Sequence, residues 1–229
     1  MLKVLQLPKK PTDDKYGYFP HRNAREEQIK LIETIYEFLR SDSKGLILSA
    51  DPGIGKEACM TSQCLKAMSD GLYDRAFFVV PTGSGKINTM KELESVKHDM
   101  KILDIKSKDI LCQWIKDSED ERISPMKGEK CGFDLCKSFR QDCPYNDGNC
   151  PYYLQKKEVP DSDIIVCDYN YIFSPFVRKA YGIDDLLKKS GRTLLFVNEC
   201  HKLPERMETI YSKSISSATI GRAINELDE

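Results

Sequence analysis

The sequence predicts an α/β fold: a parallel sheet flanked by helices on both faces and interrupted by a cysteine-rich insertion. Three observations carry this. Short apolar runs of strand type, at 46–48, Ala76–Val80, Ile164–Cys167 and Thr193–Val197, alternate with segments of helical periodicity. Parallel strands need crossover connections, and helices are the usual ones, so this alternation implies a parallel sheet covered on both sides. Between about residues 105 and 155 the rhythm breaks, and five of the nine cysteines gather there.

The elements follow in order. Residues 1–20 carry Pro8, Pro11 and Pro20 and read as an extended lead-in. Ile29, Ile32, Ile35, Tyr36 and Leu39 then recur at helical spacing, with Glu and Lys on the opposite face. Leu46-Ile47-Leu48 reads as the first sheet strand, and a helix follows through Met60, Cys64, Leu65 and Met68. After the strand at Ala76–Val80, Met90, Leu93 and Val96 mark the next helix; Asp184–Lys189 is a further helix, and Thr193–Val197 a buried strand.

Composition bounds the function. The chain has 229 residues, 40% hydrophobic and 31% charged, a globular balance rather than a disordered one. Lys+Arg 35 against Asp+Glu 36 gives a net charge of −1, which excludes a wholly basic nucleic-acid coat but not a local basic groove. No run of about 18 apolar residues spans a membrane. The start MLKVLQLPKK lacks the apolar stretch and cleavage site of a signal peptide, so the reading is an intracellular protein, of cytoplasm or nucleus.

Ala50–Lys56, with Asp51-Pro52-Gly53-Ile54-Gly55-Lys56, lies between a predicted strand and a predicted helix. Glycines let backbone N–H groups approach an anion, the helix N-terminus adds positive dipole, and Lys56 can reach terminal phosphates. The Ser/Thr usual after the lysine is Glu57 here. A second loop, Pro81-Thr82-Gly83-Ser84-Gly85-Lys86-Ile87, also lacks the hydroxyl and reads as structural punctuation.

The strand at Thr193–Val197 ends in Asn198-Glu199-Cys200-His201. In nucleotide sites of this form a first carboxylate helps hold Mg²⁺ and a second orients the attacking water. Here Asn198 replaces the first, and Glu199 survives as the second. Glu57 is then expected to supply the charge that Asn198 lost. The alternatives are a nucleotide site without turnover, or an Asp→Asn change that traps a bound state.

Cys112, Cys131, Cys136, Cys143 and Cys150 offer five thiols for four positions around a zinc ion or an iron–sulfur cluster. The absence of close CxxC pairs favours the cluster, with Cys131 or Cys136 the spare. Cys59, Cys64 and Cys167 fall on predicted helices or strands and read as small buried hydrophobes.

In their order, these motifs resemble the superfamily 2 iron–sulfur DNA helicases of the XPD/DinG type, over almost the whole chain. Phe19-Pro20-His21-Arg22-Asn23-Ala24-Arg25-Glu26-Glu27-Gln28 resembles the N-terminal element that contacts adenine, Ala50–Lys56 resembles motif I, and the loop ending at Lys86 stands at motif Ia, where family members touch DNA. Cys112 and Cys150-Pro151-Tyr152-Tyr153 resemble the first and last cluster ligands, and Ile164–Pro175 the return to the motor core. Asn198–His201 stands where the family has Asp-Glu-Ala-His.

The resemblance implies a RecA-like first motor domain over residues 1–104 and 156–229, with a 4Fe–4S insertion over 105–155. It implies ATP and Mg²⁺ as cofactors, adenine recognition by Phe19, Arg25 and Gln28, phosphate binding by Lys56, and water positioning by Glu199. Single-stranded or forked DNA is the implied partner. The sequence stops soon after Asn198–His201, so the expectation is the N-terminal motor half without the second motor domain, whose place a partner protein would take. The rival expectation is a catalytically degenerate module that binds nucleotide and nucleic acid and acts through a partner.

Overall fold

The computed structural model describes residues 4–6, 14–81, 83–112, 114, 142–145, 148–189 and 191–212. Strands β1 (Val4–Gln6) and β2 (Asn23–Arg25) form an antiparallel ladder with Leu5 opposite Ala24. The lead-in is therefore tied down in part, a long-range pairing that three-residue strands do not announce. Helix α1 (Glu26–Arg40) starts immediately after β2. Glu26 and Glu27 in its first turn and Arg40 in its last suit the helix dipole, and Ile32, Ile35 and Leu39 form its buried stripe.

Helix α2 (Lys56–Ser69), strand β3 (Arg75–Val79), helix α3 (Gly83–Glu94), strand β4 (Ile102–Asp104) and helix α4 (Lys108–Leu111) complete the first half. Then come α5 (Pro151–Glu158), β5 (Ile164–Cys167), α6 (Tyr169–Phe173), α7 (Pro175–Ala180), α8 (Ile183–Lys189), β6 (Thr193–Val197) and α9 (Leu203–Tyr211). Strands β3 to β6 form a parallel sheet in the order β4-β5-β3-β6.

The period-2 alternation of strands splits the core into two layers. Ala76 and Phe78 of β3 enter one layer with Ile164, Val166 and Leu194, packed on α1 and α2. Phe77 and Val79 enter the other with Ile165 and Cys167, packed on α6 and α8. Phe78 stacks on Phe196 across the β3–β6 pair with ring centroids 4.7 Å apart. A fully buried side chain such as Phe77 contributes on the order of 1.5–3 kcal/mol.

Two expectations need correction. Leu46–Leu48 is not a strand: residues 45–51 join no ladder, and Ile47 is 89% exposed. A run of three apolar residues has too little area to define a buried face, and only Leu48 packs against the core. Thr193–Val197 is a strand with the expected bounds but is only partly buried, with Leu194 alone fully inside. It lies at the sheet edge among the described residues, leaving Leu195 44% exposed. Among the described residues no helix is long and apolar enough to cross a membrane.

Candidate functional site: a phosphate loop facing a strand end

The carboxyl ends of parallel strands are where this class of sheet binds ligands, because loops there are carried on a rigid scaffold. Two segments meet at that end: the loop preceding α2, and the turn following β6. Gly53 and Gly55 take φ of +81° and +88°, conformations open to glycine at little cost. Gly55 also allows a close approach, since a Cβ there would lie 2.8 Å from Gln28 Nε2.

Arg25 at the end of β2 and Gln28 in the first turn of α1 brace this loop. Gln28 Nε2 donates to Ile54 O at 2.8 Å, and Arg25 Nη1 donates to Gly53 O at 3.1 Å. Gln28 Oε1 in turn accepts from Arg25 N at 2.9 Å, which caps the first turn of α1. Lys56 opens α2 and curls back, its Nζ donating to Ala50 O at 3.0 Å. Asp51 contributes its carbonyl 3.5 Å from the same Nζ.

The ladder between β3 and β6 runs one residue past β6, with Asn198 N donating to Val79 O at 2.9 Å. This sets Asn198 against α2. Its Nδ2 donates to Glu57 Oε1 at 3.0 Å, and its Oδ1 accepts from Glu199 N at 3.0 Å. Glu199 follows at φ 53°, left-handed and costly for a residue with a Cβ. Tyr169 holds it there: its buried hydroxyl lies 2.6 Å from Asn198 O and 2.9 Å from Glu199 O. Burial, then the neighbouring Cys200 and Glu199, push the Tyr169 pKa up, so the hydroxyl stays a donor. His201 Nε2 lies 3.5 Å from Glu199 Oε2.

Pro52, Gly53, Gly55, Lys56, Glu57, Asn88 and Glu199 together line a pocket of about 390 Å³. It brings together an ammonium, paired left-handed glycines and two carboxylates, one from the start of α2 and one from the turn after β6. A larger pocket, about 500 Å³ between Tyr18, Tyr73, Met100 and Asp163, lies at the amino ends of the strands, away from these groups.

The remaining expected residues divide. Phe19 is buried in the core with its ring edge against His21. Lys86 bonds Ile105 O and pairs with Asp104 Oδ1 at 2.7 Å, so the second glycine loop spends its lysine on the sheet. Thr82 of that loop lies outside the described residues. Cys59, Cys64 and Cys167 are buried, as expected of small hydrophobes. Cys112 ends α4 and is buried, and half-buried Cys150 caps the start of α5, two helices that pack together. Cys143 is half-buried, whereas Cys131 and Cys136 lie outside the described residues. Among the described residues no group of three or more His, Cys, Asp or Glu is arranged to hold a metal.

Sequence reasoning missed Tyr169 and Asn88. Tyr169 had a weak signal, an aromatic two residues past a buried strand end; Asn88 sits on α3 with no motif around it.

Residues 146–220 match the DEAD_2 family. A regulator of telomere elongation helicase 1 homolog of Drosophila ananassae is 23% identical over 217 residues, covering 83% of this chain and 21% of that protein. Its homolog in Anopheles gambiae is 32% identical over 77 residues, covering 34% of this chain and 7% of that protein. A solved XPD helicase superposes with a TM-score of 0.54 at 23% identity, over 88% of this chain and 37% of that one. The chain thus spans about a fifth of the first relative and over a third of the solved structure. The resemblance to the N-terminal half of XPD/DinG-type helicases is borne out, and the parallel sheet with flanking helices is the fold shared with XPD helicase.

Proposed function

We propose that this chain is the ATP-binding and single-stranded-DNA-binding first motor unit of an iron–sulfur helicase of the XPD/DinG type. The observation that supports this most is the convergence of Lys56, Glu57 and Glu199 on one pocket beside two left-handed glycines. The loop's backbone N–H groups and Lys56 receive the phosphates, with the N-terminus of α2 behind them. Phe19, Arg25 and Gln28 are the adenine-recognising residues in this reading, and Arg25 and Gln28 also hold the loop through hydrogen bonds to its carbonyls. Glu199, fixed by Tyr169, orients the attacking water.

The donor set fits Mg²⁺, which takes one or two carboxylates and fills its shell with phosphate oxygens and water. When bound, the ion neutralises charge on the phosphates. Glu57 and Glu199 are the carboxylates present. Unwinding needs a second motor unit, in the same protein or a partner, to close over the nucleotide and supply transition-state charge worth about 10³–10⁵ in rate.

Four of Cys112, Cys131, Cys136, Cys143 and Cys150 hold a 4Fe–4S cluster in this reading, supported by the packing of α4, which ends at Cys112, on α5, which starts after Cys150. Broad absorbance near ~400 nm with stoichiometric iron supports the cluster, and a colourless protein with zinc replaces it. Single-stranded DNA affinity falls with salt as phosphate contacts are screened.

The second reading, a degenerate module that binds nucleotide and nucleic acid without turnover, is favoured by Asn198, an amide at a carboxylate position. Turnover with single-stranded DNA separates the two. Hydrolysis abolished by Lys56→Ala supports the motor, and none at any Mg²⁺ concentration supports the module.

A further inference from the structure

We propose that the pocket takes its divalent cation through Glu57, with Asn198 as the residue that positions that carboxylate. The two positions have exchanged their usual chemistry. This inference rests on the nucleotide-binding reading of the same pocket.

The hydrogen bonds leave Asn198 little else to do. Its Nδ2 donates to Glu57 Oε1 and its Oδ1 accepts from Glu199 N, so each end of the amide is fixed by a neighbour. It carries no charge to offer a cation. Glu57 spends one oxygen on Asn198 and lines the pocket beside Lys56. A carboxylate that receives an amide N–H has one of its oxygens fixed in place. Glu57 sits in the first turn of α2, the end of a helix that suits an acidic side chain. An aspartate at 198 would set two carboxylates against each other across this contact; asparagine turns the same contact into a donor–acceptor pair. Glu199 remains to orient water.

The test has two readouts. The first is the affinity of fluorescently labelled ADP with EDTA and with Mg²⁺; the second is direct Mn²⁺ binding followed by electron paramagnetic resonance. Wild type should bind ADP more tightly with Mg²⁺ than with EDTA, and the isosteric Glu57→Gln should lose that difference between the two buffers. Asn198→Ala should lower Mn²⁺ affinity by about 10–100-fold, the usual effect of removing a ligand's partner. The exchange variant E57S/N198D, which regenerates a hydroxyl and a carboxylate, should recover Mn²⁺ binding. Thermal melts of each variant check folding, and E57S/N198D keeps the test open where a single change lowers stability. A wild type that binds ADP equally in both buffers, or Glu57→Gln that keeps the Mg²⁺ gain, overturns the exchange alone. A wild type that binds ADP in neither buffer overturns the nucleotide reading with it.

Discussion

Gly55→Ala separates the cost of a backbone conformation from the cost of a displaced strut. At φ +88° an alanine pays about 1–2 kcal/mol for the left-handed region. Its Cβ would also meet Gln28 Nε2 at 2.8 Å. Gln28 must then move and weaken its hydrogen bond to Ile54 O, a further loss of about 1 kcal/mol. The sum is about 2–3 kcal/mol. Gly53→Ala is the internal control, since Gly53 has φ +81° but nothing within 4 Å of its Cβ position. It should cost only the first part. Urea unfolding of both variants, in wild type and in Gln28→Ala, measures the difference. Gly55→Ala should exceed Gly53→Ala by about 1 kcal/mol in wild type, and the two should match once Gln28 is removed. Equal costs in wild type would refute the idea that Gln28 props the loop.

Other expectations follow from the same contacts. Tyr169→Phe should cost about 1–2 kcal/mol in urea unfolding, because two half-buried carbonyls lose the donor they share; an unchanged midpoint would mean the hydroxyl does not hold Glu199. Lys86→Met should cost about 1–2 kcal/mol by removing the nearer of the two lysines that pair with half-buried Asp104, Lys106 staying 3.9 Å away, yet leave nucleotide affinity unchanged. A drop in nucleotide affinity would return the second loop to the site. Ile47→Ala should change stability by less than about 0.5 kcal/mol, as for other exposed positions, whereas a sheet strand there would make it costly. Burial pushes the Cys59 thiol from 9.0 up to about 12 and raises Cys64 and Cys167 as well. The folded state then keeps protons that the unfolded chain releases above about pH 8.5, so stability is whole below that pH and falls above it, by about 1.4 kcal/mol per unit for each thiol. Urea unfolding should show a loss of at least about 2 kcal/mol between about pH 8 and about pH 9.5, reduced in Cys59→Ala; a flat profile would contradict the burial.

How much was legible in the sequence depended on the range of the interaction. Helix α1 and strands β3, β5 and β6 were readable because their own periodicity or length defines a buried face, as with Ile32, Ile35 and Leu39. The β1–β2 pairing and the exposure of Leu46–Leu48 depend on what a neighbour offers, and no local pattern reports that. Helices α4 to α7 are only four to eight residues long, too short for periodicity to declare itself. Within the site, Lys56, Glu57 and Glu199 were visible because their chemistry is tied to glycine spacing and a strand end. The Asn198–Glu57 contact spans 141 positions, so the sequence could show two unusual residues but not that they touch. Arg25 and Gln28 were expected at the nucleotide; the structure adds that they grip the loop itself.

The central claim is that the pocket between the glycine loop and the end of β6 receives nucleotide phosphates. A crystal structure of the chain soaked with Mg²⁺ and a non-hydrolysable ATP analogue tests it most directly. The account predicts phosphate oxygens against the backbone N–H groups of Gly53 to Lys56, with Lys56 Nζ released from Ala50 O toward them. Nucleotide seated instead between Tyr18, Tyr73 and Asp163, at the other end of the sheet, would contradict it.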